Sequence, residues 1–307
     1  MREAKLTVGT RGSALALWQA NHVVGLLKAS HPEREFDIKV IRTSGDRNLE
    51  VALSKVGGKG LFTKELERAL LAGEVDLCVH SMKDVPTVLP AGLAITAMLP
   101  RADARDALIG FRGLAFAELP AGSRVATGSL RRTAQLSVLR PDIAFCDIRG
   151  NVETRIGKVR DGMFDAAVLA VAGVERMSLG SCIEERFPTD IMVPAVGQGA
   201  IGIETREEDE DVLETMAAIS CDDTLRDVGA ERIVMRALEG GCQVPLGAYA
   251  REEAGAYSFD AFVSSVDGSR VARTSLTGRA EASRELALQA VDELLSQGAL
   301  DILEAMR

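Results

Sequence analysis

Apolar and polar positions along this chain follow two rhythms, a period of two and a period near 3.6, and the rhythm changes at glycines and prolines. Residues 5–8 read as a short strand and Gly9-Thr10-Arg11-Gly12-Ser13 as a turn. Residues 14–27 read as a helix with Ser13 as its N-cap and Leu15, Trp18 and Leu26 as core contacts. A strand follows at 36–41, a turn at 42–46, an amphipathic helix at 61–71 ended by Gly73, and a buried strand at 75–79. The same order then recurs. Residues 124–126 form a strand, Thr127-Gly128-Ser129 a turn, and 130–139 a helix stopped by Pro141. A strand at 143–148, a turn at Arg149-Gly150-Asn151 and a helix at 154–160 come next, and Gly162–Ala166 parallels Gly73–Leu77 in leading into a buried strand.

Strand–loop–helix units of this kind give parallel sheets covered by helices, so the pattern predicts two related, doubly wound α/β lobes. Two crossovers, around 99–103 and at the glycine-rich stretch 193–200, suggest a chain that leaves the first lobe, builds the second and returns. From Thr224 the pattern changes to a helix at 228–238, three alternating strands at 246–250, 257–264 and 270–277, and a C-terminal helical region broken near Gly298. This predicts a small α+β third domain with a three-stranded antiparallel sheet. The expected boundaries are 1–99 with 200–217 for lobe one, 100–199 for lobe two and 218–307 for the third domain.

Composition narrows the function classes. The chain has 307 residues, 47% of them hydrophobic and 26% charged, and a net charge of −9 that disfavours a nucleic-acid partner. No apolar run is long enough to span a membrane and residues 1–6 hold no secretory segment, which gives an expectation of a cytoplasmic protein. Five widely spaced cysteines without a Cys-x-x-Cys pair, and three histidines without ligand spacing, argue against a disulfide framework and a metal site. With no heptad repeat, a monomer is the default. The cations cluster at loops (Lys55 with Lys59, Arg131 with Arg132, Arg149 with Arg155), which is consistent with a site for a small polyanion; a scatter of solvated surface charges is the simpler account of any single arginine.

Five segments could carry chemistry. The turns at 9–13 and 127–129 place hydroxyls, glycine N–H groups and the cations Arg11, Arg131 and Arg132 where a helix begins, a setting receptive to carboxylate or phosphate; plain capping by Ser13 and Ser129 is the simpler account. Lys55-Val56-Gly57-Gly58-Lys59-Gly60 reads as a lid over an anionic substrate or as a surface loop. Lys83 and Asp84 follow a buried strand, the usual place for catalysis, and an ionised Asp84 suits stabilising a cation; an ordinary ion pair is the alternative, and His80 reads as structural. In Glu239-Gly240-Gly241-Cys242-Gln243-Val244-Pro245-Leu246-Gly247 the glycines stop a helix and leave the Cys242 thiol on a turn, open to a reactive carbon; an ordinary buried loop cysteine is the simpler account from this segment alone.

Seven motifs converge on one resemblance. They are Thr-Arg-Gly-Ser-Ala-Leu-Ala-Leu-Trp-Gln-Ala from Thr10, Lys-Val-Gly-Gly-Lys-Gly-Leu-Phe from Lys55 and Val-His-Ser-Met-Lys-Asp-Val-Pro from Val79, followed by Ser-Leu-Arg-Arg from Ser129, Arg-Gly-Asn-Val-Glu-Thr-Arg from Arg149, Pro-Ala-Val-Gly-Gln-Gly-Ala from Pro194 and Glu-Gly-Gly-Cys-Gln-Val-Pro from Glu239. In order and spacing, nearly end to end, the chain resembles the porphobilinogen deaminase (hydroxymethylbilane synthase) family.

The resemblance implies two lobes like those of periplasmic binding proteins. It also implies an enzyme that joins four porphobilinogen molecules head to tail, losing ammonia each time, and releases hydroxymethylbilane. It implies a dipyrromethane cofactor held by a thioether to Cys242 and a catalytic carboxylate at Asp84 beside Lys83. Cofactor contacts would come from Thr127, Ser129, Arg131 and Arg132 together with Lys83 and Asp84. Substrate carboxylates would meet Arg11, Ser13, Arg149, Arg155 and Arg176, with Lys55 and Lys59 over the cleft. Gly128 departs from the family, which often has a serine there. A two-lobed anion sensor would share the lobes but needs no displayed thiol. Schiff-base chemistry at Lys83 would need a desolvated lysine, which an adjacent aspartate does not favour.

Overall fold

The computed structural model describes residues 5–47, 60, 62–238, 244–253 and 255–306. They form two compact units. The first takes the described residues up to Ala102 and returns for Ala200–Leu225; the second takes Asp103–Gly199 and the chain from Arg226 onward.

With elements numbered along the whole chain, the first unit holds β1 (Lys5–Thr10), β2 (Glu35–Val40), β3 (Leu77–Ser81), β4 (Leu93–Met98) and β10 (Ile201–Arg206), with helices α1 (Ala14–Ser30), α2 (Ser44–Arg47), α3 (Lys64–Leu71) and α7 (Glu210–Ala217). The sheet order is β2-β1-β3-β10-β4. Period-two alternation sorts β3 between two cores. Leu77 and Val79 join Val23 and Leu27 of α1 and Met216 of α7, whereas Cys78 joins Leu66 and Leu70 of α3 on the other face.

The second unit holds β5 (Asp106–Ile109), β6 (Arg124–Ala126), β7 (Ala144–Cys146), β8 (Ala166–Ala170) and β9 (Ile183–Arg186), with α4 (Leu130–Leu139), α5 (Val152–Arg160) and α6 (Val171–Arg176). Its order, β7-β6-β8-β5-β9, repeats the first sheet strand for strand. In both, four strands run in one direction and the fourth in the order, β10 or β5, runs antiparallel to each neighbour. The lobes are therefore related, as the sequence pattern predicts, but each sheet is mixed rather than parallel. The reason is connectivity. β10 and β5 are the first strands after the two crossovers, so neither follows a helix of its own lobe, and the βαβ constraint that enforces parallel pairing does not reach them.

The chain ends in α8 (Asp222–Ala237), the antiparallel meander β11 (Leu246–Glu253), β12 (Ala256–Ser264) and β13 (Val271–Gly278), then α9 (Ser283–Ser296) and α10 (Ala299–Glu304). Gly298, at φ +84°, makes the break between the last two helices. Tyr257, Phe259 and Ala261 face Ala287, Leu294 and Ile302, while Phe262 on the reverse face packs on Ala134 of α4 and Val193.

Helix α1 departs from expectation. It buries Ala16, Ala20, Val23, Val24 and Leu27, and Trp18 is exposed, stacked on His22 at 5.0 Å. Small residues at helical spacing let α1 lie close on the sheet, and the indole lies off that stripe. The turn expected at 42–46 winds into α2.

Candidate active site

In the first unit, β1 and β3 are parallel neighbours, with Val8 opposite Leu77, so both deliver the residues after them to one sheet edge. After β1 come Arg11 and Ser13. The Ser13 hydroxyl accepts from the Ala16 N–H at 3.3 Å, which makes it the N-cap of α1, and the Arg11 guanidinium lies 4.0 Å above the Phe62 ring. After β3 comes a 3-10 turn, Met82–Asp84. Buried Met82 and Val85 anchor its two sides, and the Met82 N–H donates to the Ala200 carbonyl at 3.1 Å. Lys83 and Asp84 are held half-buried between these anchors. A Cβ at Gly202 would collide with the Met82 sulfur, so the methionine seats as it does because residue 202 has no side chain.

In the second unit, β6, β7 and β8 are parallel and end at the corresponding edge, with Thr127, Ser129, Arg131 and Arg132 after β6, Arg149 and Arg155 after β7, and Arg176 after β8. Ser129 occupies the N-cap position of α4, but its side chain makes no capping bond, unlike Ser13; its N–H meets the Thr127 hydroxyl at 3.3 Å. Arg149 Nε lies 3.5 Å from Asp147, and Arg155 Nε donates to the Gly150 carbonyl at 2.8 Å. Arg176 donates to the Gly199 carbonyl at 2.7 Å, and burial lowers its guanidinium to about 10. A serine Cβ at position 128 would sit 3.1 Å from Asp147 Oδ1, so glycine there relieves a close approach.

Arg131 and Arg132 are buried, which their placement in a cation-rich turn does not foretell. Both meet Asp106, the first residue of β5: Arg131 Nη2 at 2.8 Å from Oδ2, and Arg132 Nε and Nη2 at 2.9 and 2.8 Å from Oδ1. Arg131 also donates to the Val193 carbonyl at 2.6 Å and Arg132 to Val168 at 2.8 Å. Gln198 joins them, donating to Asp106 Oδ1 at 2.9 Å. Burial opposes ionisation of Asp106, but the charges of Arg131 and Arg132 overcome it and hold the carboxyl at about 2. Arg131 Nε is buried and has no hydrogen-bond partner among the described residues. Neither Asp106 nor Gln198 is marked as a site residue by its local sequence. The one signal was an aspartate opening an otherwise apolar strand. Lys55, Lys59 and Cys242 lie outside the described residues.

Each lobe is an α/β sheet, one with a lysine–aspartate turn at its carboxyl edge and the other with a set of guanidiniums, groups suited to anionic ligands. The family model described as "Porphobilinogen deaminase, dipyromethane cofactor binding domain" matches residues 6–214, and that described as "Porphobilinogen deaminase, C-terminal domain" matches 225–296. The chain belongs to the porphobilinogen deaminase family. The porphobilinogen deaminase of Geobacter metallireducens is 45% identical over 99% of this chain and 95% of its own, and that of Chlorobium limicola 47% identical over 99% and 98%. Among solved structures, the methionine binding protein MetQ aligns at 13% identity and a TM-score of 0.46, covering 72% of this chain and 92% of that one.

The activity is porphobilinogen deamination on a dipyrromethane cofactor, in tetrapyrrole biosynthesis. The donor set fits such a group. Carboxylate arms call for guanidiniums, and this edge offers an unpartnered buried Nε on Arg131 and a Ser129 side chain that makes no capping bond.

Proposed function

We propose that Asp84 is the catalytic carboxylate, with Lys83 beside it, and that Arg11, Ser13, Arg149, Arg155 and Arg176 hold the acetate and propionate arms of porphobilinogen and of the growing chain. Thr127, Ser129, Arg131 and Arg132 hold the dipyrromethane, with Lys83 and Asp84 also in contact, and Cys242 carries it through a thioether. Lys55 and Lys59 meet anionic substrate from the segment preceding α3. When bound, the cofactor supplies the terminal pyrrole carbon on which the chain is built.

The observation that carries this reading is topological. In each unit the assigned residues follow parallel strands to a single edge, the place where α/β sheets bind ligands. Departure of ammonia from substrate leaves positive charge shared with the pyrrole nitrogen. A fixed carboxylate at Asp84 stabilises that charge as it forms, and Lys83 pairs with an anionic arm. Guanidiniums meet carboxylates through paired N–H groups, so an arginine edge retains a chain whose negative charge grows with each addition.

The reading assigns catalysis to residues 1–99 with 200–217, carboxylate binding to 100–199 and cofactor attachment to 218–307. It includes a monomer, supported by the lack of a heptad repeat. It also includes a cytoplasmic setting, supported by four unbridged cysteines at Cys78, Cys146, Cys182 and Cys221.

Intact-protein mass tests the core of this proposal. The wild type carries a covalent increment of two pyrrole units, and Cys242→Ser lacks it and is inactive. A fully active, unmodified protein sinks the proposal.

A further inference from the structure

We propose that Asp106 is a positioning residue for the cofactor: its carboxylate holds Arg131 and Arg132 side by side at the start of α4 and aims them at the cofactor's carboxylates. This rests on the reading above that the arginine pair binds the dipyrromethane.

Three observations carry the proposal. The first is topological. Because β5 runs antiparallel to β8, it begins where its neighbour ends, with Asp106 opposite Ala170, the last residue of β8. An antiparallel strand thus brings its first side chain to the edge where the parallel strands deliver theirs.

The second is the comparison between lobes. In the first unit the equivalent strand, β10, also begins opposite the last residue of its partner, Ile201 against Ser81. The position that holds an acid in one lobe holds a buried isoleucine in the other. The fold itself therefore does not call for a carboxylate at this place.

The third is charge. Two guanidiniums on adjacent residues are 3% and 6% exposed, and Asp106 is 0% exposed between them. One carboxylate against two cations leaves a single net positive charge in the cluster. Removing it would leave two buried like charges held only through their bonds to the Val193 and Val168 carbonyls. Gln198, between the positive-φ residues Gly197 and Gly199, braces the carboxylate from the crossover.

The test is the fraction of purified protein that carries the two-pyrrole mass increment, measured beside circular dichroism. Asp106→Asn is expected to cut loading of the folded protein about tenfold, the scale of one charge-assisted hydrogen bond. Leu108→Ala is the control; Leu108 is a buried core residue of the same strand, so this change lowers stability without touching the arginines and leaves its folded molecules loaded. Equal loading in the two variants overturns the proposal.

Should Asp106→Asn not fold, Asp106→Ala is refolded with porphobilinogen in sodium formate or in sodium chloride of equal strength. Loading that returns only with formate supports the proposal; loading in both salts, or in neither, overturns it. Arg131→Leu keeps the two readings apart. If it loads normally, the assignment of the arginine pair fails; if it loses loading while Asp106→Asn keeps it, only the role of Asp106 fails.

Discussion

His80 Nε2 lies 2.9 Å from a carboxylate oxygen of Glu204, and both side chains are buried between neighbouring antiparallel strands. The pair ties β3 to β10 one residue before Ser81, where the turn bearing Lys83 and Asp84 begins. Its other carboxylate oxygen is buried without a partner, so the imidazole is the one hydrogen-bonded contact that the described residues give this carboxylate. His80→Leu removes that contact and leaves the acid alone in the interior. Unfolding free energy should fall by about 3 kcal/mol, read from urea denaturation. A loss under about 0.5 kcal/mol, the scale of an ordinary surface change, would show that the pair is not a structural tie.

Much of the fold was legible where punctuation is strong. Ser129 and Pro141 bracket residues 130–139, and α4 occupies that span; Gly298 breaks the last helix where a glycine must. What stayed hidden depends on partners rather than on local pattern. A strand at 106–109 or 201–206 has the same side-chain period whichever way its neighbour runs, so the antiparallel entry of β5 and β10 leaves no mark in the sequence. The Trp18 indole reads as core by hydrophobicity, yet its angular position on α1 takes it off the buried stripe. The site residues announced themselves as cations and hydroxyls in turns. Asp106 did not, because its meaning comes from two arginines more than twenty positions away.

Asp84→Asn keeps the shape of the side chain and removes its charge. Asp84 is only half-buried, so the melting temperature should change little. If the carboxylate stabilises a developing cation, kcat should fall by roughly 100-fold or more, with a smaller effect on KM. A rate within a few-fold of wild type would take the catalytic role away from this residue.

Glu67 gives a pH dependence. Burial, with a further push from the charge of Glu204, raises its carboxyl above the ordinary value. A raised acid binds more protons in the folded state than in the unfolded one. Its contribution to stability is therefore full below the unfolded pKa and is lost as pH rises through the folded one. Glu67→Gln mimics the protonated form, so it should melt above wild type at pH 8 and converge with it near pH 4. A variant less stable than wild type at pH 8 would contradict this account.

The seat of the turn that carries Lys83 and Asp84 offers a direct test of the link from packing to turnover. Met82 is 1% exposed and its sulfur occupies the space that a side chain at Gly202 would need. Gly202→Ala cannot be absorbed by the strand, because Gly202 is paired with His80 on one side and Met98 on the other. The methionine must move instead, and any shift of its backbone carries Lys83 and Asp84 with it. Overpacking of this kind costs about 1–3 kcal/mol of stability. Displacing a reacting group by about 1 Å costs on the order of 100-fold in rate. Gly202→Ala should therefore lose kcat well beyond what its stability loss explains, measured at a temperature where it is fully folded. Shortening the methionine in the same chain, Gly202→Ala with Met82→Ala, clears the collision and should recover a large part of the rate. If the double variant is no faster than Gly202→Ala alone, the loss does not pass through Met82, and the coupling between that buried sulfur and the Asp84 turn is disproved.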